Sequence, residues 1–388
     1  MGEAEKKVFE RALSSLSTSR SRAPLRLQAV VSSLPSPVRR EAAKKLNGQQ
    51  RQDNKYERWL GEAIRLPLGK KSDPPPDPLP RFLREARQKM DEAVVGHSSA
   101  KEEVTRILCR WKRGGSTGGF ALALEGPPGI GKTTFAKAAL SQLGRPVVFV
   151  ALGGAADASL LVGHSYTYEG SLPGKIADSL IKAGTMDPIF VFDEVDKVSN
   201  SAKGDELMHV LMAVCDPTQN SEFKDRYFGD IGLDISRATC VFCMNSSRSL
   251  PSVLMDRLHL VRLDPPSLSD KKKIVETMVL PRAAKRAGIG EKDVTFTEEA
   301  IRMMVERTCS PNGGMRTAER EADRVMGALS VAEGSGSGIG IGASAAASGD
   351  GSASGKKVVF PFVCDAETLL PLLGEKEEES PPPAGMFA

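Results

Sequence analysis

The apolar run FALALE leads directly into GPPGIGKT, Gly126 to Thr133, and the residues after it read as a helix. Buried strand, glycine-rich turn, helix: this order fits the phosphate-loop pattern GxxxxGK[ST] and leaves few folds open. Glycines let several backbone N–H groups converge on phosphate oxygens, and the helix N-terminus adds partial positive charge. Gly126, Pro127, Pro128, Gly129, Ile130, Gly131, Lys132, Thr133 and Thr134 are thus the candidate nucleotide contacts. Lys132 suits the outer phosphates of ATP, and Thr133 suits Mg2+.

About 60 residues downstream, the apolar strand IFVFDE closes on Asp193 and Glu194. Alone, two carboxylates after a strand read as a solvated strand end. Beside a phosphate loop they divide the labour, Asp193 on the Mg2+ shell and Glu194 as the base for the attacking water. Asn245 ends the next apolar strand, VFCMN, where its amide either orients that water or caps a turn. Arg257, in LMDRLHLVRL, follows a short helix and is either a cation delivered to a neighbouring subunit's nucleotide or one half of a surface ion pair. Arg316 opens the helix MRTAEREADRVM after the turn Pro311 to Gly314, from where it would reach bound phosphates.

Short apolar strands alternating with helices define an α/β chain with a parallel sheet covered on both faces. In that reading FALALE, RPVVFVAL, PIFVFDEVD and ATCVFCMN are strands; Thr133 to Leu143, Leu172 to Ala183 and Glu206 to Cys215 are helices. Residues 1–70 read as a helical N-terminal segment, and 71–80 (KSDPPPDPLP) as a stiff linker in which prolines forbid helix and sheet pairing. The large α/β domain spans 81–265. A smaller helical domain spans 266–375, with a Ser267/Asp270 capping box and helices over Lys271 to Arg286, Glu298 to Arg307 and Met315 to Val331. Its Gly/Ser/Ala-rich stretch 334–355 reads as a disordered insertion, after which KKVVFPF resumes a strand; the acidic tail 376–388 reads as unstructured.

With 53 basic against 49 acidic side chains, the net charge of +4 does not argue for nucleic acid, and no basic stripe is interleaved with aromatics. No apolar run approaches the ~20 residues of a membrane helix. The six cysteines (109, 215, 240, 243, 309 and 364) are scattered through core-like segments, as in a reducing intracellular compartment, cytoplasm or organelle matrix. Cys240 and Cys243 form a lone CxxC on a strand, where they point to opposite faces and read as core packing. Arg11 to Arg40 is Ser/Arg-rich and free of acids like an organelle transit segment, but Glu3, Glu5 and Glu10 precede it.

The phosphate loop, the DE strand, Asn245, the Asp256-Arg257 pair and Arg316, in this order, resemble the AAA+ ATPases, and among them the ATPase module of the Lon protease family. The likeness is dense over LGGAADASLLVGHSYTYEGSLPGKIADSLIKAGTMDPIFVFDEVDKV, DPTQNSEFKDRYF, VLMDRLHLVRL and GGMRTAEREAD, and extends over about Tyr56 to Glu375. It implies an AAA+ parallel-sheet domain with a small helical C-terminal domain, ATP and Mg2+ as ligands, and a homohexameric ring that unfolds protein. Tyr168, Glu169 and Gly170 fall on the family's substrate-gripping loop, where a ring face tolerates many polypeptide sequences; the plain alternative is that Tyr166 and Tyr168 are half-buried loop aromatics. Glu169 replaces the usual aliphatic residue, and the second channel loop, around Ser199 to Asp205, lacks an aromatic. No segment resembles the Lon Ser–Lys nucleophile region. A motor acting on unfolded or misfolded polypeptide, without its own peptidase activity, is therefore expected. A motor subunit serving a separate protease, or a nucleic-acid-directed AAA+ ATPase, are the other readings.

Overall fold

A computed structural model describes residues 54–72, 77–113, 121–155, 157–199, 201–290, 292–309, 314–335, 338–340 and 355–373. The expectations for 1–53, the prolines at 74–76, most of the 334–355 insertion and the tail lie outside these residues.

The described residues form two compact units, one from those up to Arg87 with Glu103–Glu125 and Ala136–Val261, the other from Gln88–Glu102, Gly126–Phe135 and those from Arg262 on. The phosphate loop groups with the residues from Arg262 on.

The first unit is built on a five-stranded sheet. Its strands are β1 (Ala121–Glu125), β2 (Val147–Ala151), β3 (Ile189–Asp193), β6 (Thr239–Met244) and β7 (Leu258–Arg262), ordered β2-β3-β6-β1-β7. A small antiparallel ribbon, β4 (Phe223–Lys224) with β5 (Gly232–Leu233), lies between β3 and β6 in the chain. The β2–β3, β3–β6 and β6–β1 pairings are parallel. All six residues of β6 are buried, as expected of a strand covered on both faces. Phe190 stacks on Phe192 along β3 at a centroid separation of 5.9 Å, and Phe192 on Phe242 across to β6 at 5.2 Å. β7 was not expected; LHLVR mixes His259 and Arg262 with apolar residues and shows no period-two burial, so its strand signal is weak.

Local chemistry sets the helix ends. The helix Lys175–Ala183 starts later than expected because Pro173 and Gly174 precede it, and Gly184 ends it in the left-handed region at φ 70°. Ser201 caps the helix Ala202–Cys215, so much of the supposed second channel loop is a first helical turn.

In the second unit, the expected Ser267/Asp270 capping box forms at the start of Leu268–Ile274. The single helix expected over 271–286 is interrupted by a π turn, Val275–Val279, before Leu280–Arg286. Pro281 has no N–H to donate back along the helix, which accounts for the widened turn. The helix Arg316–Ser335 extends past residue 334, and the strands β9 (Gly338–Gly340) and β10 (Gly355–Lys357) pair antiparallel, so these edges of the supposed insertion are ordered. The strand expected at KKVVFPF is broken: β10 ends at Lys357, and β11 (Phe362–Cys364) pairs instead with β8 (Val294–Phe296). Among the described residues, no helix is long and apolar enough to cross a membrane.

Candidate functional site

The C-terminal sheet edge of the first unit gathers the polar groups. Glu125 pairs in register with Met244, and Asp193 with Cys243, so Glu125, Asp193 and Asn245 emerge side by side. Crevices at such edges, where the strand order reverses about β1, are where open α/β sheets bind ligands. Asp193 Oδ1 accepts the N–H of Glu194 at 2.9 Å. Glu194 itself sits at φ 58°, ψ 41°, a left-handed conformation rare for residues with a side chain, which turns its carboxylate sharply off the strand.

Three residues that sequence reasoning missed fix this corner. Lys197 Nζ donates to Glu194 Oε1. A Cβ on Gly153 would fall 2.0 Å from Glu194 Oε2, so a side chain there would displace the carboxylate from this position. Asp196 Oδ2 accepts the Asn245 N–H at 3.0 Å, tying the end of β6 to the turn after β3. The doubled acids of DEVDK and the LGG turn were the available signals.

Arg257 is ion-paired within its own chain: Nη2 lies 2.9 Å from Asp216 Oδ2, and Nη1 donates to the Val253 carbonyl. Asp216 in turn is held below the ordinary carboxylate range, chiefly by hydrogen bonds from the Thr218 hydroxyl and N–H, with Arg257 adding to them.

The second unit shapes the phosphate loop. Gly129 and Gly131 adopt φ 77° and 91°, conformations that favour glycine. Lys132 curls over the loop, donating to the Gly126 and Pro127 carbonyls at 2.7 and 2.9 Å. Ile130 is buried, Thr133 half-buried and Thr134 exposed. The start of helix Arg316–Ser335 rests on the loop. Met315 N–H donates to Gly129 O at 3.0 Å, and a Cβ on Gly314 would come within 2.2 Å of Pro128 O. This brings the exposed Arg316 to the loop, with its Cγ only 3.1 Å from where a Gly129 Cβ would stand. His97, beside the loop at φ 55°, hydrogen-bonds the Ile130 backbone, and burial pushes its imidazole pKa down. Val94, packed on Gly131, also lines a cavity of about 620 Å3 with Val95, Thr277, Met278 and Arg282.

Each unit by itself carries groups of a kind that a magnesium nucleotide needs: the second has left-handed glycines for close backbone approach with a lysine and a threonine on the loop, and the first has the carboxylates Asp193 and Glu194 at its sheet edge.

In the first unit, the loop from Gly163 to Gly174 carries Tyr166 half-buried and Tyr168 at its tip, 68% exposed. The half-buried-aromatic reading thus describes Tyr166 and not Tyr168; Glu169 and Gly170 are exposed beside it. Asp225, fully buried, accepts N–H groups from Gly174 and Tyr227. Burial raises its pKa from the ordinary 3.8 to about 6 against the pull of those N–H groups. Its folded form therefore holds a proton between about pH 4 and 6 that the unfolded chain has released, so this group's contribution to stability falls as pH rises through that window. The neutral Asp225→Asn variant lacks that slope. Chemical denaturation at pH 4.5 and 7 should show the wild type losing about 2 kcal/mol relative to the variant.

Comparison with known proteins fits this geometry. Residues 122–264 match the family model "ATPase family associated with various cellular activities (AAA)". The chain is 37% identical over 243 residues to the Lon protease of Acinetobacter baumannii (strain AB307-0294), covering 63% of this chain and 30% of that protein. It is 33% identical over 309 residues to the Lon protease of Mycolicibacterium smegmatis (76% and 38%) and 32% over 325 residues to that of Salinispora arenicola (strain CNS-205) (80% and 41%). The chain spans less than half the length of these relatives.

The fold and the matched region define an AAA ATPase domain of the α/β class. Over 63–80% of its own length the chain is similar to the Lon proteases.

Proposed function

We propose that this chain is a Mg2+-dependent ATP hydrolase that assembles as a ring, a hexamer by resemblance, and remodels or unfolds polypeptide. The observation that carries the reading is the shared sheet edge of Asp193, Glu194 and Asn245 in the unit that also exposes Tyr168.

In this reading Lys132 and the loop amides of Gly129 to Thr133 bind the outer phosphates, and Arg316 adds a cation to them. The cavity beside Gly131 takes the nucleoside end. Thr133 and Asp193 would hold magnesium, which when bound neutralises phosphate charge. Glu194 takes the proton from the attacking water, and Asn245, placed by Asp196, orients it. Arg257, steered by Asp216, faces the nucleotide of a neighbouring subunit. Peptide-bond cleavage, where it accompanies this motor, relies on residues other than these, and a separate peptidase subunit is compatible with the reading.

Tyr168→Ala tests it. With carboxymethylated lactalbumin as a permanently unfolded probe, wild-type ATP turnover should rise severalfold, and the variant should keep its basal rate but lose the rise. No rise in the wild type, or an undiminished rise in Tyr168→Ala, would remove the polypeptide-handling reading while leaving the ATPase. Steeply salt-dependent DNA binding would favour a nucleic-acid-directed motor instead.

A further inference from the structure

The loop that presents Tyr168 is held at two places, and neither belongs to the nucleotide site. At its neck the two chain passages touch backbone to backbone. A Cβ on Gly174 would stand 2.1 Å from Leu161 O, and one on Gly163 2.6 Å from Gly174 N. Two consecutive residues from the segment after β4 close this neck. Asp225 Oδ2 accepts the Gly174 N–H at 2.9 Å, and Arg226 N–H donates to Val162 O at 2.7 Å. On its flank the loop leans on the upstream helix Asn54–Arg65: the Trp59 and Tyr166 rings lie 6.0 Å apart at 49°, and Lys55 Nζ donates to Thr167 O at 2.9 Å. At the tip, Tyr168 N–H donates to Ser165 O and Ser171 Oγ to Tyr168 O, while the ring stays exposed.

A fully buried carboxylate whose partners are backbone amides is costly to keep ionised. Nothing in the nucleotide chemistry uses it. Its amide partners hold the neck of one loop and the turn that follows it.

We propose that Asp225 and Tyr166 are positioning residues that set where Tyr168 stands, Asp225 by closing the loop neck and Tyr166 by seating the loop on the Trp59 face of helix Asn54–Arg65. The inference rests on the polypeptide-handling reading of Tyr168. It adds that the N-terminal helix is part of the grip's mounting, so that a partner or substrate segment pulling on that helix moves the loop.

Two measurements on the full chain test it. Hydrogen exchange of the loop amides in Asp225→Asn and Tyr166→Leu should quicken by about tenfold or more, with β1, β3 and β6 unchanged. The amide side chain turns a donor toward an N–H, and leucine removes the ring contact. In the turnover assay both variants should keep basal rates within about twofold, while half-saturation for carboxymethylated lactalbumin rises by about tenfold; Tyr166→Phe should restore it. Exchange that is unchanged in the loop, or raised equally throughout the unit, would overturn the proposal, as would basal and stimulated turnover falling in equal proportion. Should Asp225→Asn not fold, the Tyr166 pair carries the test. Failure of Tyr168→Ala to matter defeats the motor reading; a strong Tyr168→Ala effect with silent Asp225→Asn and Tyr166→Leu defeats only this inference.

Discussion

Glu194→Gln should bind ATP as the wild type does and turn it over about 10²- to 10⁴-fold more slowly. The substitution preserves the size and shape of the side chain, and an amide cannot take the proton from water. The surrounding corner makes this a specific expectation. Gly153, with no Cβ, leaves space for the group where it stands, and the left-handed backbone at Glu194 points it off the strand end. Lys197, which pairs with the carboxylate, would lose its anionic partner without losing the loop's grip on phosphate. Phosphate release measures turnover, and a fluorescent nucleotide analogue measures binding. Turnover within about twofold of wild type would remove Glu194 from the base role.

The second large effect lies at the opposite sheet edge. Arg145 is 14% exposed and staples the N-terminal ends of three strands, donating to the Asp187, Pro188 and Arg237 carbonyls and to Thr239 Oγ1. Arg145→Ala would strand these acceptors in a region water reaches poorly. A loss of about 3–5 kcal/mol is expected. For a unit of this size that lowers the melting temperature by about 10 °C. Differential scanning calorimetry would read it; a shift below about 2 °C would show that water replaces the guanidinium at little cost.

The parts of this protein legible in its sequence are those whose signals are local. The phosphate loop announces itself in eight consecutive residues, and β1, β2, β3 and β6 are short apolar runs between turns. The capping box at Ser267 needs only Asp270 three residues on. What escaped the sequence depends on distant partners or on shape. Arg257 is visible as a cation, but its partner Asp216 lies 41 residues earlier, so the choice between a cation acting across subunits and a local ion pair stayed open. Asp225 sits in FKDRYF with nothing to mark it; its role emerges only because the fold returns it to Gly174, 51 residues away. Pro281 marks the break in its helix, where the missing N–H is accommodated by a π turn that leaves the apolar periodicity of 271–286 intact. The phosphate loop's grouping with the C-terminal unit came from backbone packing of Gly314 and Met315 on Pro128 and Gly129, which no residue pattern encodes.

In the proposed function, ATP breakdown at Lys132, Asp193 and Glu194 drives Tyr168 against a polypeptide. The most direct measurement follows the fluorescence of a folded fluorescent protein bearing an unstructured tail, mixed with this chain. Wild type with ATP should extinguish the signal, while Tyr168→Ala with ATP and wild type with a non-hydrolysable analogue should leave it intact. Fluorescence that persists while wild type consumes ATP, or that is lost equally with Tyr168→Ala, would contradict the account.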